Sequence, residues 1–440
     1  MNARKTSHFP KKVAAIIKRV NFKSGLSFLL DNDELIKIEK TQADHIFGIA
    51  VDLGTTSICV SLCNLENKQE LAQVIVRNKQ YIYAQDIQDF SQTADKLQHN
   101  QQSLSRELIY SVNKAIKDCL RKSGVEENRI FTAIVAGNPV MINLLLQTAI
   151  KTNLLKKQKN QYQESYLFKA AMLGLNINPQ ANIRFLPGID SVIGSDTVSA
   201  ILKLGMFKTK DQILCIDVGI NSKIILGNNK KITVACSKSS SSFEGHLLKC
   251  GMIAKPGAIE WVRINKGEIK ILTVGHIRPV GISGSGVIDT ISELLKNKII
   301  NSQGQMKSDS FVVYQDKSSC VELTADDIRK IQVSKAIIFA GIKILMKNLN
   351  VGFDQIKKVF ICGELGSYLN TEHIVLLGMV PVELKNKINF GGNAAFLGAK
   401  MVLLNKKYLN QMNKIQKLIK HIDLKQDQEF LGLYKRALNF

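Results

Sequence analysis

Residues 47–63 read FGIAVDLGTTSICVSLC, and this stretch decides the fold. Phe47–Val51 is an apolar run of strand length. Asp52, Gly54, Thr55 and Thr56 then interrupt it with a carboxylate, a glycine and two hydroxyls. From Ser57 to Cys63 the chain is apolar again, so the pattern predicts a strand, a tight turn and a second strand. A glycine in such a turn has no Cβ to keep a phosphate from the backbone, and the neighbouring N–H and hydroxyl groups add donors. Asp52, at the strand end, is placed to hold a metal-bound water or to orient an attacking one.

The design recurs. QILCIDVGINSKIILGN (212–228) is again strand, Asp, Gly turn and strand, with Asp217 falling 165 residues after Asp52. Three further glycine turns follow: GISGSGVIDTISELLK (281–296) runs into a helix, KVFICGELGSYLN (358–370) reads as strand, turn and helix, and NFGGNAAFLGAKMVLL (389–404) as a Gly-rich start to a small-residue helix. Helical spacing of Leu104, Leu108, Val112, Ile116 and Leu120 predicts a helix over 103–122. Helices are also expected at 139–147, after a strand at 130–138, at 194–202, after a strand at 183–189, and at 326–349. Residues 151–166 read as a polar loop or insertion, and 1–46 as a poorly patterned basic lead-in. In the tail, Met412, Ile415, Ile419 and Ile422 keep helical spacing over 406–423, and Phe430, Tyr434 and Leu438 continue it, which reads as packing faces.

Composition bounds the rest. The 440 residues are 45% hydrophobic with only 7 prolines, which excludes a disordered or collagen-like chain. No apolar run reaches the ~18–20 residues of a membrane helix, so no membrane span is expected. The net charge of +23 suggests an anionic partner, yet 49 of the 60 basic residues are lysine. Arginine clusters with interleaved aromatics, which read phosphates and bases, are missing, so nucleic acid is not the expected partner. The lysine excess reads as compositional bias more than as a dedicated polyanion surface. Eight scattered cysteines, several in apolar runs, fit reduced buried thiols and a cytoplasmic protein, with no metal or iron–sulfur spacing. Cys236 and Cys362 read as core thiols, and His246 as a loop histidine.

Together the doubled hairpin and later glycine turns resemble the sugar-kinase, Hsp70 and actin superfamily of ATPases. That resemblance implies an α/β fold of two actin-like (ribonuclease H-like) halves, mixed sheets flanked by helices, with a nucleotide cleft between them. Residues 47–208 and 209–404 would be the halves, and 405–440 a C-terminal helical tail. Asp52, Gly54, Thr55 and Thr56 then form the first phosphate motif, and Asp217, Gly219 and Asn221 the second. Gly363, Gly366 and Ser367 occupy the adenosine-motif position, and Gly284, Gly286 and Asp289 the connecting helix. ATP and Mg²⁺ are the implied cofactors, the metal held through water by Asp52 and Asp217.

The ordered set GIAVDLGTTS, IVAGNPVMINLLL, FLPGIDSVIGSDTVSAIL, CGMIAKPGAI, GISGSGVID and GGNAAFLGA narrows the resemblance. It is similar to the C-terminal part of the reductive activators of corrinoid proteins, from about residue 47 onward. The resemblance implies ATP-driven reduction of a cobalt(II) corrinoid to cobalt(I) on a methyltransferase partner. Typical members carry a [2Fe–2S] domain ahead of this part. The 46 residues here contain no cysteine, so no cluster is expected on this chain and a ferredoxin-like donor in trans is implied; a homodimer is compatible. The second hairpin departs from the family pattern Asp-Ile-Gly-Thr-Asn-Gly-Glu: Ile220 replaces the hydroxyl and Lys223 the carboxylate. Gly363-Glu364 replaces a glycine pair, and ACSKSSSSFEG a smaller Gly/Pro stretch. These departures keep an alternative open, a catalytically degenerate homologue that binds nucleotide or partner as a regulator or scaffold. A sugar kinase of the same superfamily is the weaker third option, because no sugar-binding carboxylate motif stands out.

Overall fold

The computed structural model describes residues 27–31, 34–39, 45–79, 94–147, 163–237, 241–245, 247–363 and 365–440. The chain forms two compact units, one of the described residues up to Ser199 with Phe396–Gln411, the other of Ala200–Ala395 with Met412–Phe440.

In the first unit, Phe47–Leu53 and Ser57–Asn64 form the expected hairpin, in the register Asp52 opposite Cys59. Glu70–Arg77 adds to its outer side antiparallel, and Ile130–Gly137 lies parallel to Phe47–Leu53 on the inner side. Asn182–Phe185 and Tyr166–Lys169 complete a six-stranded mixed sheet. Phe47–Leu53 is buried along its whole length, which is why it reads as a continuous apolar run rather than an alternating one. The helix Ala94–Ser123 covers the sheet with the expected stripe: Leu104, Leu108, Val112 and Ile116 are buried, and Leu120 packs against them half-buried. Each such side chain removed from water contributes about 1.5–3 kcal/mol.

The second unit repeats the plan. Gln212–Asp217, Ser222–Gly227 and Ile232–Ser237 form the antiparallel meander, and Ile356–Cys362 lies parallel to the first of these strands. The helix Ala325–Leu349 packs on the meander and starts at a capping box between Thr324 and Asp327. The helix Gly284–Lys296 lies against a smaller three-stranded sheet, Glu268–Thr273, Ala258–Asn265 and Gly281–Ile282 in that order.

Four expectations are corrected. Residues 388–392 are a strand, not a helix start: Ile388–Gly392 pairs parallel with Ile356–Cys362, and the helix begins only at Ala394. In the tail, the helix stops at Leu418 and Ile419–His421 joins the sheet edge beside Ile232–Val234, where a β-branched residue suits a strand. The last helix, Phe430–Arg436, ends before Leu438, although Phe430 and Tyr434 do stack, with ring centroids 6.0 Å apart. Within the basic lead-in, Ser27–Asp31 and Glu34–Glu39 pair as an antiparallel hairpin. Most of the polar stretch 151–166, with His246 and Glu364, lies outside the described residues.

Candidate functional site

The first hairpin owes its tightness to Gly54, where a Cβ would come 2.5 Å from the Ser57 carbonyl oxygen. Asn78, fully buried at the end of the third strand, clamps the turn: its side-chain amide donates to Gly54 O at 3.0 Å and its backbone N–H to Thr56 O at 2.8 Å. Asn138 Nδ2 donates to Thr55 Oγ1 at 3.1 Å, while Asn138 Oδ1 accepts from the Met141 N–H at the start of the helix Pro139–Gln147. Asp52 is buried, and Thr55 and Thr56 are half-buried. Asp52, Gly54, Thr55 and Thr56 are thus brought together, in one turn braced from two sides.

In the second unit, Asp217 ends its strand and Gly219 sits in a turn closed by Ser222, whose Oγ accepts from the Gly219 N–H at 3.3 Å and donates to the Gly219 carbonyl at 3.2 Å. Asn221 is half-buried in the same turn, while Ile220 is buried. Lys223 is also buried and is the cross-strand partner of Asp217. Gly363 presses on this turn. Its φ is +93°, a Cβ there would overlap the Val218 carbonyl oxygen, and the same Cβ would stand 3.1 Å from Asp217 Oδ1. Backbone bonds from Val218 N to Cys362 O and from Gly363 N to Gly392 O tie three strand ends into one cluster. Gly366 and Ser367 follow in the short 3-10 turn Leu365–Tyr368.

Gly284 and Gly286 are glycines for packing reasons: a Cβ on the first would overlap Phe243 O, and on the second Ile259 O. Ser283 caps this helix by accepting from the Gly286 N–H. Asp289 bonds His373 Nδ1 at 2.6 Å, and His373 Nε2 meets Lys296 Nζ at 2.8 Å. Lys296 in turn donates to Glu293 Oε1 at 2.9 Å. Burial would raise the Glu293 pKa, but the Ile264 N–H and the Lys296 ammonium hold it below the usual value. Asp289 therefore anchors its helix to the helix Thr371–Leu376 through a buried polar chain.

Cys362 is fully buried, with its Sγ 3.7 Å from Cys215 Sγ; Cys236 is half-buried rather than a core thiol. The hydrogen bond to Cys362 and burial push the Cys215 thiol well above its ordinary pKa. Among the described residues no group of three His, Cys, Asp or Glu side chains is arranged to hold a metal ion directly, and no helix is long and apolar enough to cross a membrane. Asn78 and Ser222 escape a sequence reading, and Gly391–Gly392, read as a helix start, lie instead in the strand beside Ile356–Cys362. Asn78 had one faint signal, as the polar end of an alternating strand.

Two six-stranded sheets share a five-strand order, an antiparallel three-stranded meander followed by two parallel strands, and each carries an Asp–Gly hairpin, which defines an actin-like protein of the ASKHA class. The family model described as "C-terminal domain of RACo the ASKHA domain" matches residues 211–440, and that described as "RACo middle region" matches 47–209. The chain belongs to the RACo family. It is 26% identical to the corrinoid activation enzyme RamQ of Eubacterium limosum, over 88% of this chain and 69% of that one. It is 24% identical to a [Co(II) methylated amine-specific corrinoid protein] reductase of Methanosarcina barkeri, over 90% and 77% respectively. The solved structure of a reductive activator for a corrinoid, iron-sulfur protein superimposes with a TM-score of 0.82 at 28% identity, covering 92% of this chain and 68% of that one.

Proposed function

We propose that this chain is an ATP-binding activator of a corrinoid protein in a methyltransferase system. It supports reduction of the cobalt(II) corrinoid to cobalt(I) with an electron from a separate ferredoxin-like protein. The observation that carries the proposal is the duplicated Asp–Gly hairpin within a chain matched by the family along both parts. The donors of the turn suit a phosphate: a tight glycine turn and two half-buried threonines, braced by Asn78 and Asn138, while the buried Asp52 carboxylate, an acceptor, suits a hydrated cation instead. Gly54, Thr55 and Thr56 would hold phosphate from one motif, and Gly219 and Asn221 from the other, with Gly363, Gly366 and Ser367 toward the adenosine. Asp52 and Asp217 would orient the waters of a bound Mg²⁺ with their carboxylate oxygens. Bound ATP supplies the phosphoanhydride whose turnover drives the uphill electron transfer. Gly284 and Gly286 seat the connecting helix, and Asp289 fixes it. Calorimetry with Mg²⁺ and ATP should detect binding, and Asp52→Ala should abolish turnover. Silence at millimolar ATP rejects the enzymatic reading.

One feature favours a second reading, a nucleotide- or partner-binding regulator that does not turn over ATP. Ile220 and Lys223 are both buried at the second hairpin, where a hydroxyl and a carboxylate would serve phosphate and metal. An ammonium can neutralise phosphate but cannot bind Mg²⁺. Capture of the corrinoid protein without ATP, together with undetectable turnover, would favour this reading.

A further inference from the structure

We infer that the outward face of the three-stranded sheet in the second unit docks an acidic protein surface, and that this surface belongs to the corrinoid-carrying partner. The identity of that partner rests on the function proposed above; the surface itself follows from strand register.

Ala258–Asn265 and Glu268–Thr273 pair so that Trp261 faces Leu272, Arg263 faces Lys270 and Asn265 faces Glu268. Residues directly opposite in an antiparallel pair share a face, so these six lie together. The other face is the core one: Val262 and Ile264 are buried, Ile269 and Ile271 pack against them, and the helix Gly284–Lys296 covers it. The outward six include the single tryptophan of the chain, half-buried, and Leu272, which is 48% exposed.

Two properties of this face are unfavourable for the isolated chain. Arg263 and Lys270 are like charges directly opposite one another, an arrangement that destabilises a sheet. Glu268 lies 3.7 Å from Lys270, whereas Arg263 makes no ion pair among the described residues. Apolar surface also stands open beside the sheet. Ile277 is 53% and Val280 60% exposed, and both side chains lie over Gly257. Their segment is held in place rather than loose: Thr273 Oγ1 donates to Ile277 O, Ser319 Oγ donates to Pro279 O, and Arg278 pairs with Asp316.

Both costs vanish if an anionic, partly apolar surface covers the face. A central aromatic and arginine among exposed aliphatics is the composition of an interface hot spot. On the outward face Arg263 and Lys270 stand against the single carboxylate Glu268, and Arg278 beside it is already paired with Asp316, so the unmatched charge is Arg263 and the favoured occupant is acidic. A second copy of this chain is disfavoured by its own charge of +23.

Because Trp261 is the single tryptophan, its emission reports this face directly. The full chain would be titrated with the corrinoid protein of its methyltransferase system, following Trp261 emission and sedimentation velocity together. The expected result is a complex whose formation shifts Trp261 emission to the blue and weakens at least tenfold between about 50 and about 500 mM NaCl. Arg263→Glu with Lys270→Glu should weaken it at least tenfold while leaving circular dichroism unchanged. Val280→Glu, at a more exposed position, gives an independent check should the double variant misfold. A complex seen by sedimentation that leaves Trp261 emission unchanged and is insensitive to these variants overturns the surface but not the proposed function. No complex at all overturns both. A short DNA duplex that shifts Trp261 emission where the corrinoid protein does not would overturn the inference in favour of nucleic acid.

Discussion

Asp217 and Lys223 stand directly opposite each other on the two strands of the second hairpin, and Lys223 is buried there. In the first hairpin the residue opposite Asp52 is Cys59. The two carboxylates therefore work in different surroundings, one with an ammonium across the ladder and one with a thiol. Lys223→Glu would set a buried carboxylate opposite the half-buried one of Asp217. It should cost about 3 kcal/mol in chemical denaturation, the scale for an uncompensated buried charge. Lys223→Arg keeps the cation and should cost less than half as much. A negligible loss for the glutamate variant would mean that solvent reaches the pair.

Ile220 is the hydrophobic substitute in the same turn. Ile220→Thr returns a hydroxyl, and one added hydrogen bond to phosphate, worth about 1 kcal/mol, should tighten ATP binding roughly fivefold. Loss of a buried apolar side chain should lower stability at the same time, by about 1–2 kcal/mol. Calorimetry on one preparation, followed by thermal denaturation, checks both signs.

Gly363 and Gly205 separate two meanings of a positive φ. Both lie in the left-handed region, at +93° and +68°. A Cβ on Gly205 meets nothing within 4 Å, so Gly205→Ala should cost only the conformational strain, about 1 kcal/mol. On Gly363 the Cβ overlaps the Val218 carbonyl, so Gly363→Ala should cost more than about 3 kcal/mol and displace the Asp217 turn. Equal losses in urea titrations would mean that the 217–219 turn shifts freely.

Asn78 braces the first turn by two bonds, to Gly54 O and Thr56 O, from a fully buried site. Asn78→Ala leaves the Gly54 carbonyl without that donor and should cost about 1–3 kcal/mol. ATP affinity should fall with it, because the turn loses its preset shape. Unchanged affinity in a destabilised variant would show that the turn is held by its own strands.

Both hairpins, the helix stripe from Leu104 to Ile116 and the long helix at 326–349 were legible because each is written in local spacing. What escaped depends on partners distant in sequence. Ile419 looks helical beside Met412 and Ile415, yet its backbone pairs with Ile232. Ile388–Gly392 reads as a glycine-rich helix start until Ile356–Cys362 lies alongside it. Lys223 was visible as an unusual residue, but its place opposite Asp217 is a matter of register. The glycines of GISGSG were visible too, although what they make room for, the carbonyls of Phe243 and Ile259, was not.

Lys335 gives a pH prediction. It is buried in the helix Ala325–Leu349, where its ammonium donates to Asn439 O and lies 5.4 Å from the Phe440 ring centroid. Burial pulls its pKa down from 10.5 to about 8. Below about pH 8 the folded and unfolded states both carry the proton, and the folded state bears the full penalty of the buried charge. Between about 8 and 10.5 the folded lysine is neutral while the unfolded one is still protonated, so stability rises with pH across that window. Relative to Lys335→Met, the wild type should gain on the order of 3 kcal/mol from pH 7.5 to 10.5. Urea titrations of both proteins at several pH values isolate this contribution from the rest of the charge. A difference that stays flat over the window would mean that water reaches the ammonium beneath Phe440.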